Sequence, residues 1–551
     1  MDYLWWLCII YVTRTLATNL PRVVIDQGEL EGKYLTTRGG RSIATFLGIP
    51  YALAPLKELR FKNPQPPLSW EGVRQAKRDG SKCVQQDVLD YKHKNRTAGN
   101  EDCLFINVFT PTLDSTAKLA VIVFIHGGGF YEGSSSSLVY GPEFLLDKDV
   151  VLVSMNYRLG VLGFMSTEDN ELPGNLGLKD QTASLQWVQS NIHFFGGDKN
   201  SVTIMGHSAG SVSVHLHMMS PLSKGLFHGA ISMSGVGLCP WAIHPPGNYL
   251  KLTQRVAADF GCPTGNTKDM VECLRYADAY NLTTVLARYE IFDLDPALLF
   301  PPIVEANTTD AFLVQDPWSV KTTIPWIIGF VSEEGSLRAA SLLRNEGVTE
   351  RLHQLDTEYK VLLPMSIMVE MTARNPVYIA EKVRRFYFGN EKIDINHSQE
   401  IINMYSDSWF DYASAESVLR HAGDVFHYYF SYKGKFSVGF QFGDNTKVLG
   451  VVHGDILIYL FPLEGLFVKR FDTEEDLLLS LQLVEWWTNF AYYRDPTPEG
   501  NPPIKWNAVT TADREYMSIN NSGLVMDKNA VKERYDFWKA LPYRDKPVPE
   551  M

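Results

Sequence analysis

The sequence predicts an α/β architecture: a large, mostly parallel central sheet flanked by helices, with helical elaborations over the sheet. Two observations carry this. Between residues 119 and 235 short apolar, β-branched runs alternate with stretches of helical spacing, the order expected of parallel strands joined by crossover helices. The runs are also continuously apolar rather than alternating, as in strands covered on both faces.

Each element can be justified in turn. Leu119–Ile125 is an apolar run that stops at His126-Gly-Gly-Gly-Phe130, and Val150–Ser154 is a second. From Leu178 to Phe194 the apolar positions Leu185, Val188 and Ile192 fall on one helical face. Ser201–Met205 reads as a third strand, Ala209–Met219 as a helix and Gly229–Met233 as a strand. Pro325–Phe330 and Val425–Phe430 are later strands, while 240–320 and 335–420 are less regular and more helical. No repeat or low-complexity linker divides the 551 residues. The reading is therefore one domain over 18–551, although that length ordinarily suggests two or more.

Composition narrows the class. An apolar share of 45% is that of an ordinary globular chain. A formal net charge of -12 argues against a nucleic-acid partner, which requires a basic face. No zinc-finger spacing, Walker loop or EF-hand loop is present, so no metal is expected. The block Leu4–Val12 followed by Leu16-Ala17-Thr18 reads as a signal peptide over residues 1–17, although Asp2 stands where a positive charge is usual. No later segment reaches the roughly 20 apolar residues of a membrane helix, so no membrane anchor is expected. A secreted, extracellular protein follows. Asn95, Asn281, Asn307, Asn396 and Asn520 open glycosylation sequons that such a route would expose to modification. With Cys8 in the signal segment, Cys83 with Cys103 and Cys262 with Cys273 suggest themselves as local disulfide pairs, with Cys239 left over; spacing alone does not decide the connectivity.

The chemistry is carried by Gly206-His-Ser-Ala-Gly210. A G-x-S-x-G pattern between a buried strand and a helix is the setting of a nucleophile elbow, with Ser208 at its apex. A serine hydroxyl requires a base. In this arrangement the acid and the histidine follow the serine in chain order. Glu333 and Glu334 both qualify, just beyond the strand ending at Phe330, and His453 lies in the Gly-bounded turn Gly450–Asp455. Asp455 reads as a cap of the apolar helix that follows. His126-Gly-Gly-Gly-Phe130 supplies backbone donors without Cβ atoms, so Gly128, Gly129 and Ala209 are the candidate oxyanion-hole N–H groups. This chemistry requires no metal or organic cofactor, and its partner is a small-molecule ester.

Together these motifs resemble the type-B carboxylesterase and cholinesterase family, whose fold is the α/β-hydrolase fold. Glu101–Val108 resembles the family's second signature, and Asn156–Gly160, Gly174–Asp180 and Trp487–Ala491 match further family blocks, so the resemblance spans nearly the whole mature chain. It points to Glu334 over Glu333 as the acid. It implies the disulfides Cys83–Cys103 and Cys262–Cys273, and two structural ion pairs, Arg60 with Glu101 and Arg158 with Asp180. By the same analogy Trp241 is a wall of the acyl pocket.

The departures are informative. Cholinesterases carry a Trp between the first two cysteines and a Glu before the serine; here 84–102 has no Trp and position 207 is His. Juvenile hormone esterases typically place Gln there, which weakens that alternative without removing it. The profile is similar to secreted insect carboxylesterases of the β, antennal or venom type. The alternative of another class is a non-catalytic adhesion protein similar to neuroligins or neurotactin. Those have lost members of the triad and carry anchors, whereas this chain keeps all three candidates. Oligomeric state is not legible.

Overall fold

The computed structural model describes residues 20–86, 96–442, 449–464, 473–498, 504–510 and 513–544. The segment read as a signal peptide and the sequon at Asn95 lie outside the described residues.

The dominant element is an eleven-stranded sheet. In chain order its strands are β1 (Lys33–Thr36), β2 (Ser42–Pro50), β3 (Phe105–Thr110), β4 (Leu119–Ile125), β5 (Val150–Met155), β6 (Gly197–His207), β7 (Gly229–Met233), β8 (Trp326–Val331), β9 (Val425–Phe430), β10 (Glu515–Asn520) and β11 (Gly523–Lys528). Their spatial order is β11-β10-β9-β8-β7-β6-β4-β5-β3-β2-β1. Six of the ten neighbouring pairs, the contiguous run from β10 to β5, are parallel, and the four at the margins are antiparallel. The sheet is mostly parallel, as expected, with antiparallel margins.

The parallel strands were legible because they are buried on both faces: β4 from Ala120 to Ile125, and all of β5, β7 and β8, are buried. Two apolar layers cover the sheet. One includes Val121, Val123, Ile125, Val202, Ile204 and Ala230, and the other Ala120, Ile122, Phe124, Met205, Ile231 and Met233. Alternate residues of each strand thus feed opposite layers, as the pleat requires.

Helix α1 (Leu176–Asn191) starts two residues earlier than its periodicity suggested, and Ile192–Phe195 continues it as a 3₁₀ turn. Helix α2 (Ala209–Met219) leaves the sheet directly after β6. The irregular stretches 240–320 and 335–420 are largely short helices. Among them Asp407–Asp411 forms a π-helical turn that periodicity did not reveal. Among the described residues, no helix is long and apolar enough to cross a membrane.

Both disulfides are formed, Cys83–Cys103 and Cys262–Cys273, and Cys239 is free and buried. Arg158 and Asp180 form a bidentate pair (Nε–Oδ2 2.8 Å, Nη2–Oδ1 2.7 Å) with side chains 4% and 0% exposed. Arg60 grips Glu101 in the same way, with both bonds at 2.6 Å. Of the sequon asparagines, Asn281, Asn307 and Asn396 are exposed. Asn520 is half-buried and its Nδ2 donates to Ser518 Oγ at 2.8 Å.

Candidate active site

Four connections leave the carboxyl ends of β4, β6, β8 and β9 and carry the predicted residues to one edge of the sheet. That edge, flanking the place where the strand order reverses around β4, is where ligands bind in open α/β sheets.

Ser208 is the residue between β6 and α2. Its backbone sits at φ 58° and ψ -124°, outside the regions a non-glycine residue prefers. The strain is held on both sides: its N–H donates to Met233 O and its carbonyl accepts from Val212 N–H, both at 2.9 Å. Three glycines make the turn possible by proximity. A Cβ on Gly206 would stand 2.2 Å from Gly210 O, one on Gly210 2.0 Å from Ile125 O, and one on Gly127 2.9 Å from Ser208 Cβ. Ala209 opens α2, so its N–H is one of the first-turn donors with no partner inside the helix, and the helix end favours negative charge beside it.

The glycine loop after β4 is held from several sides. Gly128 has φ 104°, and a Cβ there would meet Glu132 O at 2.2 Å, so only glycine fits. Its carbonyl accepts from the N–H groups of Tyr131 and Glu132, which turns the peptide units on either side. Tyr157 Oη donates to His126 O (2.9 Å) and Gly160 N–H to Phe130 O (2.7 Å). Gln85, two residues from Cys83, clamps Gly133 through both its amide atoms: Gly133 N–H donates to Oε1 and Nε2 donates to Gly133 O, each at 2.8 Å. The Cys83–Cys103 disulfide therefore anchors the strut that braces this loop. His126 stacks on Tyr157 at 4.4 Å, and burial pushes its imidazole down to about 4, so it is neutral at physiological pH.

Between the two candidate acids the geometry discriminates. Glu334 is fully buried; its Oε1 accepts from Val331 N–H (2.9 Å) and its Oε2 lies 2.6 Å from His453 Nδ1. Glu333 points the other way, accepting from Val451 N–H at 2.7 Å and from Ser332 Oγ. Its backbone pairs with Val452, so Glu333 ties the two loops together while Glu334 orients the ring.

Asp455 differs from its expected role. It starts a 3₁₀ turn, Asp455–Tyr459, rather than capping an α-helix. Its carboxylate instead accepts from Val438 N–H (2.8 Å), Val452 N–H (2.9 Å) and Ser437 Oγ (3.0 Å), clamping the turn that holds His453. Burial raises it to about 7 against these bonds. The sequence did not distinguish the roles because a carboxylate at a helix start and one folded back on its own loop have the same local pattern.

His453 Nε2 has no hydrogen-bond partner among the described residues, so Ser208 Oγ is not bonded to it in this state. Catalytic hydrogen bonds are often long before substrate binds. The two are neighbours through His207, whose ring packs on His453 with centroids 4.5 Å apart. On another side His453 meets Phe410 (4.9 Å). Phe410 comes from the π-helical turn and was missed by sequence reasoning; a helical stretch with two adjacent aromatics carries no local sign that one of them reaches the His453 ring. Trp241 packs between Phe130 (6.4 Å) and Phe410 (5.5 Å), and its Nε1 donates to Trp409 O at 2.8 Å. The same turn buries Asp407 and Asp411 against Arg534, which lies 3.3 Å from Asp407 and 3.8 Å from Asp411. Burial raises both Asp407 and Asp411 above the usual carboxylate range, Asp411 the further because Asp407 lies beside it. Among the described residues, no group of three His, Cys, Asp or Glu side chains is arranged to hold a metal ion.

An elbow serine, a buried carboxylate-oriented histidine and a glycine donor loop at the carboxyl edge of this sheet define a serine hydrolase of the α/β-hydrolase class. Comparison with known proteins narrows this. Residues 19–538 match the model of the carboxylesterase family, and the chain belongs to it. It is 38% identical to juvenile hormone esterase of Tribolium castaneum, over 94% of this chain and 93% of that one. It is also 38% identical to esterase FE4 of Myzus persicae, over 88% and 86% respectively. A crystal structure of juvenile hormone esterase from Manduca sexta with OTFP covalently attached superposes with a TM-score of 0.84 at 28% identity, covering 95% of this chain and 99% of that one. The protein is a carboxylic-ester hydrolase of the serine type.

Proposed function

We propose that ester cleavage proceeds through a covalent acyl-serine on Ser208, with His453 as base and Glu334 as its orienting acid. The observation that carries this is the buried 2.6 Å contact between Glu334 Oε2 and His453 Nδ1, with the His453 ring resting on the residue next to Ser208. That contact holds the proton on Nδ1 and leaves Nε2 as the basic atom. Nε2 takes the proton of Ser208 as Oγ bonds to the ester carbonyl carbon. The N–H groups of Gly128, Gly129 and Ala209 receive the developing oxyanion. His453 returns the proton to the departing alkoxide and the alcohol leaves. Water then attacks the acyl-enzyme with His453 again as base, releasing the carboxylate product and restoring Ser208. Ser208→Ala should abolish turnover of a simple aryl ester and labelling by an organophosphate probe; full activity in that variant would sink the assignment.

The substrate class is broad carboxylic esters, with juvenile hormone as the second reading. Two juvenile hormone esterases among the similar proteins favour the latter, while His207 differs from the Gln typical of such enzymes. A kcat/KM panel across acyl lengths that includes juvenile hormone separates them: a preference of several orders of magnitude for the hormone over aryl esters establishes the second reading. Export with removal of residues 1–17 is the accompanying proposal, supported by two disulfides and by three exposed sequon asparagines. N-terminal sequencing and glycosidase treatment of the protein from culture medium test it.

A further inference from the structure

His207 is not used by the mechanism above. It ends β6 with its side chain 7% exposed, beside His453 at 4%. Its ring stands between the two loops that build the site. Its Nδ1 would lie 3.4 Å from a Cβ on Gly127, in the oxyanion loop. Its Cε1 and Nε2 would lie 3.5 and 3.7 Å from one on Gly454, beside His453. Neither Nε2, that of His207 or that of His453, has a hydrogen-bond partner among the described residues. Buried polar atoms in folded proteins almost always have a partner, so each of these two nitrogens is short of one.

We infer that His207 is a catalytic residue of the second half-reaction, holding the water that hydrolyses the acyl-enzyme between its own Nε2 and that of His453. The inference rests on the acyl-serine reading. The argument is one of hydrogen count. Water has two hydrogens: one is donated to His453 Nε2, the other to His207 Nε2, and a lone pair is left for the acyl carbonyl carbon. As the new C–O bond forms, the first hydrogen passes to His453 as a proton. When the bond from carbon to Ser208 Oγ breaks, His453 delivers that proton to Oγ, and His207 ends as it began. In the first half-reaction the alcohol has only the hydrogen that His453 gives it, so His207 has nothing to accept. Burial and the nearby His453 both hold the His207 imidazole well below its usual range, which keeps it a neutral acceptor throughout.

The test is pre-steady-state turnover of p-nitrophenyl acetate by the full chain, which yields the acylation and deacylation rate constants separately. His207→Leu should slow deacylation by about tenfold or more, within the range for positioned acid–base groups. Acylation should stay within about twofold, so that kcat and KM fall together and kcat/KM is preserved. His207→Gln, whose amide can accept the same hydrogen, should recover most of the deacylation rate. If both variants slow the two steps equally, or change neither, the role of His207 is structural and the inference is overturned. If the wild-type enzyme forms no acetyl adduct on Ser208 by intact mass, the acyl-serine reading itself fails, a result distinguishable from the first.

Discussion

Asp180 offers the most direct test of what holds the scaffold under the site. Its carboxylate accepts three bonds from Arg158: from Nε (2.8 Å), from Nη2 (2.7 Å) and from the backbone N–H (3.1 Å). Both side chains are out of water. Asp180→Leu leaves a guanidinium buried with no counter-charge, which costs about 3–5 kcal/mol. Unfolding entropy of about 2 cal/mol/K per residue near 60 °C corresponds to roughly 1.2 kcal/mol/K for a chain of this length, so Tm should fall by about 3–4 °C. The double variant Arg158→Met/Asp180→Leu removes the charge along with its partner, and replacing both members of a buried pair is often neutral or better. Calorimetry of the two single variants and the double closes the cycle. The double variant should recover most of the lost Tm. If it is less stable than the wild type by the sum of the two single effects, the pair contributes no coupling and the reasoning is wrong.

Glu334→Gln keeps an acceptor for Val331 N–H but presents an amide donor to His453 and favours the wrong tautomer. It should lower kcat by about 10³–10⁴ with Tm little changed; a loss under tenfold would remove Glu334 from the machinery. Gln85→Ala unclamps Gly133 and should reduce kcat about tenfold while costing only about 1 kcal/mol of stability, read by aryl-ester kinetics beside thermal melts. His427 is buried, neither ring nitrogen has a partner among the described residues, and burial lowers it to about 3. The unfolded chain protonates near 6.5, so the stability tied to neutral His427 is present above that pH and is lost as pH falls from 6.5 toward 3. Between pH 6.5 and 5 this amounts to about 2 kcal/mol, and the Tm of His427→Phe should fall less over that interval than that of the wild type. Cys262→Ser/Cys273→Ser opens a loop with a sequence separation of 11 and should cost about 3 kcal/mol by chain entropy, measured as a Tm shift with kcat unchanged.

What the sequence disclosed follows the physics of each element. Strands such as β4, β7 and β9 are buried on both faces, and their composition announces them without any long-range information. The marginal strands β1, β2, β3, β10 and β11 went unread; β1 and β11 each have one wet face, and β2 contains a glycine and ends in proline. The elbow at Ser208 and the turn that holds His453 were legible because turn chemistry is local. The choice between Glu333 and Glu334 was not. Successive residues beyond a strand point opposite ways, and only the approach of Val451 and His453 from 118 and 119 positions away reveals which is which. Phe410 and the Asp407–Asp411 turn lie further out of reach, because a π-turn arises from how a helix packs in three dimensions.

The close contacts around the elbow bear on how such a site can be altered. Gly127, Gly206 and Gly210 each face an atom nearer than any Cβ tolerates, and Ala209 is wholly enclosed. Of the pentapeptide, only position 207 retains a choice of side chain. Selection, natural or in a laboratory library, can therefore search chemistry at the elbow along a single coordinate. A saturation library at 207, with its neighbours left alone, samples nearly all the variation this turn can survive.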